Sequence, residues 1–145
     1  MKLISQGGQY AISAIIAISK NPKKIIPATE LAKHLNCPAA YLSQILSKLK
    51  QPGILGSRRG INGGVYLALP LINITVYDVI FAIDGEKFFT DCFMGIDGCE
   101  DIDPCPFHYF WSTQRENIKQ WLMDTNFDDA EKLISETWFN ERLSF

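Results

Sequence analysis

Acidic side chains are nearly missing from the first 70 residues: Glu30 stands alone against nine Lys and Arg, a balance of +8. So one-sided a surface leaves no acidic face for a cationic partner and points instead to a polyanion, nucleic acid or a membrane surface. Long apolar runs are missing too. The densest stretch, Ala11 to Ile18, is broken by Ser13 and falls well short of the roughly 18 residues that cross a bilayer, so a spanning helix is excluded. No phosphate loop, nucleophile elbow or paired-carboxylate motif occurs, which removes the common hydrolase and transferase designs and argues against an enzyme. A basic start at Lys2 is separated from the apolar stretch by Gln6-Gly7-Gly8-Gln9, and no small-x-small cleavage site follows, so the chain reads as cytoplasmic, with no membrane partner.

What is present suffices for one packed domain or a small domain with an oligomerising appendage: 145 residues, 47% hydrophobic and 21% charged. The formal net charge of -2 conceals two opposed halves, because residues 71–145 carry five Lys and Arg against fifteen Asp and Glu, a balance of -10. The halves want different partners.

Apolar periodicity predicts a buried first helix from Tyr10 to Ile18, built on Ile12, Ile15, Ile16 and Ile18 and stopped at Asn21-Pro22. A short second helix runs from about Ala28 to Leu35. Asn36 closes it in a left-handed conformation, and Pro38 opens a third helix through Lys50 as its first residue. Leu42, Ile45, Leu46 and Leu49 form its buried stripe. The opposite side presents Ala40, Gln44 and Ser47, edged by Tyr41 and Lys48, with no acid among them. A small, polar and basic surface on the second member of a helix-turn-helix is what major-groove entry requires, since short side chains permit close approach and Gln pairs bidentately with adenine. Two short strands then flank the basic, glycine-rich tip Arg58-Arg59-Gly60-Ile61-Asn62-Gly63-Gly64, the form of a wing whose arginines reach phosphates or a narrow minor groove.

Thr75-Val76-Tyr77-Asp78 has the form of a capping box and opens a helix that ends at Asp84-Gly85. Cysteine is scarce, four in the chain, yet Cys92, Cys99 and Cys105 share one acidic loop with His108. Four readings stand: disulfides, a zinc site, an iron-sulfur cluster, or free thiols. A cytoplasmic setting disfavours disulfides. Gaps of six and five residues lack the tight knuckle usual for zinc, while an iron-sulfur core takes more widely spread thiolates and accepts histidine in place of cysteine. Cys105-Pro106 at the start of a helix places the third sulfur near the positive end of a helix dipole. From Phe107 onward a long helix is expected, with Phe107, Trp111, Ile118 and Trp121 on a seam of 3.5-residue period that suits packing against the same helix of a second subunit.

These motifs together resemble the IscR/NsrR/RirA-type winged-helix bacterial regulators, the Rrf-two family, in its iron-sulfur branch. The resemblance covers nearly the whole chain. It is carried by Met1-Lys2-Leu3 with Tyr10-Ala11, by Tyr41-Leu42-Ser43-Gln44-Ile45, by Arg59-Gly60 with Gly63-Gly64-Val65-Tyr66-Leu67, and most specifically by Cys92-x6-Cys99-x5-Cys105-x2-His108. It implies a [2Fe-2S] cluster, favoured over [4Fe-4S], in the cysteine loop at a dimer interface, with cluster state setting DNA affinity. Tyr41, Gln44 and Arg59 match the family's DNA contacts, and His108 matches the fourth ligand of the IscR branch. Departures exist. Gly7-Gly8-Gln9 offers no carboxylate where some relatives take a ligand, and Ser43 and Pro38-Ala39-Ala40 depart from the recognition helix of that branch, so operator preference does not transfer.

His34, donated across the dimer, is a rival fourth ligand, and Cys37 reads as a small buried hydrophobe. The expectation is a mainly α protein: a winged helix-turn-helix domain over 1–83, a cluster loop over 84–106, and a dimerisation helix with the C-terminal region over 107–145. Its function would be that of a homodimeric transcription regulator that binds a double-stranded DNA operator under control of a cluster sensing redox, iron or nitric oxide status. The alternatives are a cluster-free regulator answering to a metabolite or partner protein, a zinc-bound regulator, and an electron carrier, which would leave the basic wing unexplained.

Overall fold

The computed structural model describes residues 3–21 and 24–142. Met1, Lys2 and the stop at Pro22 lie outside the described residues. The first helix, α1, spans Gln6–Lys20 and starts before the predicted Tyr10. Ser5 caps it by accepting the Gly8 N–H at 3.0 Å. Gly7 and Gly8 disfavour helix intrinsically, which hid this start, but here their lack of a side chain permits close packing: a Cβ on Gly7 would lie 3.1 Å from the Ile83 side chain.

The helix-turn-helix consists of α2 (Ala28–His34) and α3 (Ala39–Lys50), joined through Asn36 at φ 48°. Pro38 is the cap of α3 rather than its first residue, because its ψ of 129° is extended. All four stripe residues, Leu42, Ile45, Leu46 and Leu49, are buried against α1 and the rest of the main core. Strands β1 (Leu55–Arg58) and β2 (Gly64–Leu67) pair antiparallel from Leu55 with Leu67 to Arg58 with Gly64. The wing is anchored from behind by a bridge between Val65 and Ile26. That close approach explains Gly64, where a Cβ would fall 2.2 Å from the Ile26 carbonyl oxygen.

Helix α4 (Val76–Asp84) opens on a complete capping box, with Thr75 accepting the Asp78 N–H and Asp78 accepting the Thr75 N–H. Gly85, at φ 74°, ends it and leads through a 3-10 turn (Glu86–Phe89) into the cysteine loop. Helix α5 spans His108–Asp124, with Phe107 just before it, and buries only Leu122, in a small second core with Ile80 and Phe89. The chain then turns back. Asn126 bridges to Thr75, and Phe127 at the start of α6 (Phe127–Lys132) is 1% exposed within the main core. Lys20 pairs with Glu131, and Ile134 and Phe139, the latter in α7 (Glu136–Arg142), also pack on the main core. Part of the C-terminal segment thus packs into the winged-helix core. Among the described residues, no helix is long and apolar enough to cross a membrane.

Candidate nucleic-acid interface and metal centre

Helix α3 buries one face and leaves the other bare. Ala40, Gln44, Ser47 and Lys48 are exposed, as are Arg58 and Arg59 on the wing, and neither arginine forms an ion pair among the described residues. Tyr41 is half-buried, its ring edge-on to Tyr10 with centroids 5.8 Å apart. Lys48 has a local partner: its Nζ donates to the Ile83 carbonyl at 3.2 Å, at the C-terminal end of α4. The same end is held from the other side, where the Ser5 hydroxyl donates to Asp84 Oδ2 at 2.8 Å. The recognition helix, α1 and the exit of α4 thus meet at one point, ahead of the 3-10 turn that leads into the cysteine loop.

The loop brings together the side chains that the sequence singled out. Ligand atoms of Cys92, Cys99 and Cys105 lie within 4.8 Å of one another. Within that group Cys92 Sγ and Cys105 Sγ are 3.7 Å apart; beside it, His108 Nδ1 lies 3.4 Å from Cys99 Sγ. The Cys105 N–H donates to Cys99 Sγ at 3.3 Å. Both ends of the loop are tied to α5. Its exit runs into the helix at His108, and its entrance is gripped by Arg115, which donates to the Thr90 and Asp91 carbonyls, and by Trp111 Nε1, which donates to Asp91. Phe93 tilts against Phe107 and Trp111, at 5.4 and 5.6 Å between centroids.

The thiols differ in acidity. Cys92 is drawn down to about 7, first by the Ile96 backbone hydrogen bond, which outweighs partial burial, and then by the Met94 backbone and the neighbouring thiols. For Cys99 the Cys105 N–H works downward, but burial and the Cys92 and Cys105 thiols together raise it. Cys105 does not stand at the start of a helix, since α5 opens at His108, beyond Pro106 and Phe107.

His34 stands on α2 beside Glu30, at 3.6 Å, outside the thiol group of its own chain. Cys37 is 7% exposed, its Sγ bonded to the Pro38 carbonyl, and burial pushes its thiol up. Two contacts escaped the sequence. Asp101 Oδ1 lies 2.9 Å from His108 Nε2, and Phe93 packs on α5; nothing in an irregular loop's spacing announces either.

A helix-turn-helix with a basic recognition face and a two-stranded wing defines a winged-helix DNA-binding transcription regulator. The family model described as Rrf2, iron-dependent transcriptional regulator, matches residues 4–132. The chain belongs to the Rrf2 family. It is 31% identical over 123 residues to the HTH-type transcriptional regulator IscR of Klebsiella pneumoniae strain 342, covering 84% of this chain and 74% of that one. Against IscR of Photorhabdus laumondii it is 29% identical over 130 residues, 89% of this chain and 78% of that one. Among solved structures, CymR, the global cysteine regulator of B. subtilis, superposes with a TM-score of 0.73 at 26% identity, over 93% of this chain and all of that one.

Proposed function

We propose that the protein is a cytoplasmic, homodimeric DNA-binding regulator, not an enzyme, whose affinity for its operator is set by an iron-sulfur cluster held by Cys92, Cys99, Cys105 and His108. The observation that carries this is the gathering of three thiols and one imidazole nitrogen in a single loop anchored at both ends to α5. The donor set fits the group: three soft thiolates and a histidine are ligands that an iron-sulfur core accepts. The close contacts sort them into two pairs, Cys92 with Cys105 and Cys99 with His108. Each iron of a two-iron core takes two protein ligands, so this pairing favours [2Fe-2S] over [4Fe-4S]. When bound, the cluster supplies a redox-, iron- or nitric-oxide-sensitive bond set.

The chain's own residues do the rest. Ala40, Tyr41, Gln44, Ser47 and Lys48 present the recognition face, with Gln44 as the base reader, while Arg58 and Arg59 on the wing meet phosphates or the minor groove. The loop communicates with that face through Gly85 and the α4 terminus that Lys48 and Ser5 hold. We further propose that α5 dimerises with its counterpart through Phe107, Trp111, Ile118 and Trp121. Trp121 is 62% exposed, Tyr109 and Phe110 are exposed on the same helix, and Trp111, Ile118 and Trp121 line an apolar groove of about 440 Å³ with Ile4, Ile12 and Phe89. The three-part division at 84 and 107 is one of task.

Purification without oxygen tests the central claim. The protein should carry iron and inorganic sulfide and absorb visible light by thiolate-to-iron charge transfer. A second reading has one observation in its favour: three thiols within 4.8 Å of each other also suit a single tetrahedral zinc, whose bonds of about 2.3 Å separate ligands by roughly 3.8 Å. Stoichiometric zinc with no sulfide would establish that reading and remove the cluster. Trp121→Glu, examined by sedimentation, should shift the protein to monomer; an unchanged dimer would move the interface off α5.

A further inference from the structure

We propose that Asp101 is a positioning residue for His108: its carboxylate keeps the imidazole proton on Nε2 and thereby turns the Nδ1 lone pair toward the three thiols. The inference rests on His108 being a cluster ligand and adds the group that decides which ring nitrogen faces the metal.

The geometry runs through one ring. Asp101 Oδ1 lies 2.9 Å from Nε2, and Nδ1 of the same imidazole lies 3.4 Å from Cys99 Sγ. An ionised carboxylate only accepts, so the contact at Nε2 requires a proton there, and in the neutral ring the other nitrogen then carries the free lone pair. Exposure agrees with this order. The His108 side chain is 12% exposed and Asp101 86%, so the ring stands between a solvent-side carboxylate and the sulfurs. The loop holds other acids, Asp91, Asp97, Glu100 and Asp103, yet Asp101 is the one bonded to the ring among the described residues.

A carboxylate on the distal nitrogen of a ligating histidine does two things. It prevents the ring from turning over, which would present a protonated nitrogen to the metal, and it makes the ligating nitrogen a stronger donor. A histidine is the weakest-held member of a set with three thiolates, so the fourth bond is where such support has most effect. Exposure of Asp101 leaves this support open to solvent, and the cluster's most labile bond is accordingly the one whose orientation depends on a surface side chain.

The test uses the full chain with 15N-labelled histidine, reconstituted with iron and sulfide as wild type, Asp101→Ala, Asp101→Asn and His108→Ala. Two readouts are taken: the histidine nitrogen coupling in pulsed EPR of the reduced cluster, and the rate of cluster loss to an iron chelator. Wild type should show a strongly coupled nitrogen that His108→Ala abolishes. Asp101→Ala should weaken or split that coupling and accelerate cluster loss by roughly 10- to 100-fold, the range typical for removal of a metal ligand's hydrogen-bond partner. Asp101→Asn, whose amide oxygen still accepts from Nε2, should restore the nitrogen coupling. Unaltered helix content of the metal-free variants separates these effects from misfolding. If wild type and His108→Ala give the same spectrum, His108 is not a ligand, and both that assignment and this proposal fall. If His108→Ala loses the coupling while Asp101→Ala matches wild type in both readouts, the ligand stands and the role of Asp101 is refuted.

Discussion

The winged half and the cysteine loop with α5 are built on opposite terms. Residues 1–70 are basic and bury most of their apolar side chains in one core, whereas α5, at 17 residues, buries only Leu122, and no residue between Thr90 and Phe107 is fully buried. Burial of apolar area is what resists local opening, so the reader of DNA is rigid and the loop belongs to the low-stability end of the molecule. The contrast fits the proposed division of labour: the winged half is packed, and the entrance of the loop is held by a few hydrogen bonds from Arg115 and Trp111.

The most disruptive way to probe that contrast is Phe127→Ala. The side chain lies downstream of α5 but within the winged-helix core, and a deep Phe→Ala truncation costs about 3–5 kcal/mol. Urea unfolding followed by helix content should show one transition at much lower urea. Two transitions, with the winged half unmoved, would mean that the C-terminal segment folds separately. Next comes Cys99→Ala, which leaves the core untouched. It should lose iron, stay dimeric and change operator affinity by roughly 1–3 kcal/mol, the usual size of allosteric coupling. Identical binding by this variant and by oxygen-free wild type would show that the loop does not govern the reader.

The same contrast explains what was legible in the amino-acid sequence. Helix α3 was legible because Leu42, Ile45, Leu46 and Leu49 repeat with the helical period and end up buried, as tertiary packing demands. The capping box at Thr75 and the left-handed Asn36 were legible because each is a local device. Features set by distant contacts were not. Gly7 and Gly8 argue against helix until Ile83 is seen packed on Gly7, and Phe127 sits in a short polar helix whose backbone partners at Ile74 and Thr75, and whose core neighbours, lie far upstream by chain order. In the loop, thiol chemistry marked the candidate ligands, but the lowering of the Cys92 thiol depended on backbone hydrogen bonds from Ile96 and Met94 that spacing does not encode.

Smaller effects test the reader alone. Gln44→Ala should alter sequence preference by about 1–3 kcal/mol at the base pair it contacts, measured against a library of half-sites. Arg59→Ala should weaken specific and random DNA alike and lower the salt slope by about one, if it meets phosphate. Loss confined to the specific site would assign Arg59 to minor-groove width instead. Neither substitution should change iron content, since neither side chain approaches the thiols; a change in both would break the separation of reader from sensor.

The smallest effect is chemical and concerns the metal-free loop. A thiol reacts with iodoacetamide as its thiolate, so a site held near 7 instead of its ordinary 9.0 gains reactivity about two pH units earlier on a rising scale. The sign follows from the charge: lowering favours the deprotonated form, so Cys92 alkylation should fall away as pH drops through about 7 and level off above it. Cys37, buried and pushed upward, should stay unmodified throughout that range in the folded protein. Peptide mass mapping after brief alkylation between pH 6 and 9 reads both sites in one sample. If Cys92 and Cys37 label with the same pH midpoint, the Ile96 and Met94 backbone groups are not poised on that sulfur, and the loop is not pre-shaped for a thiolate ligand before metal arrives.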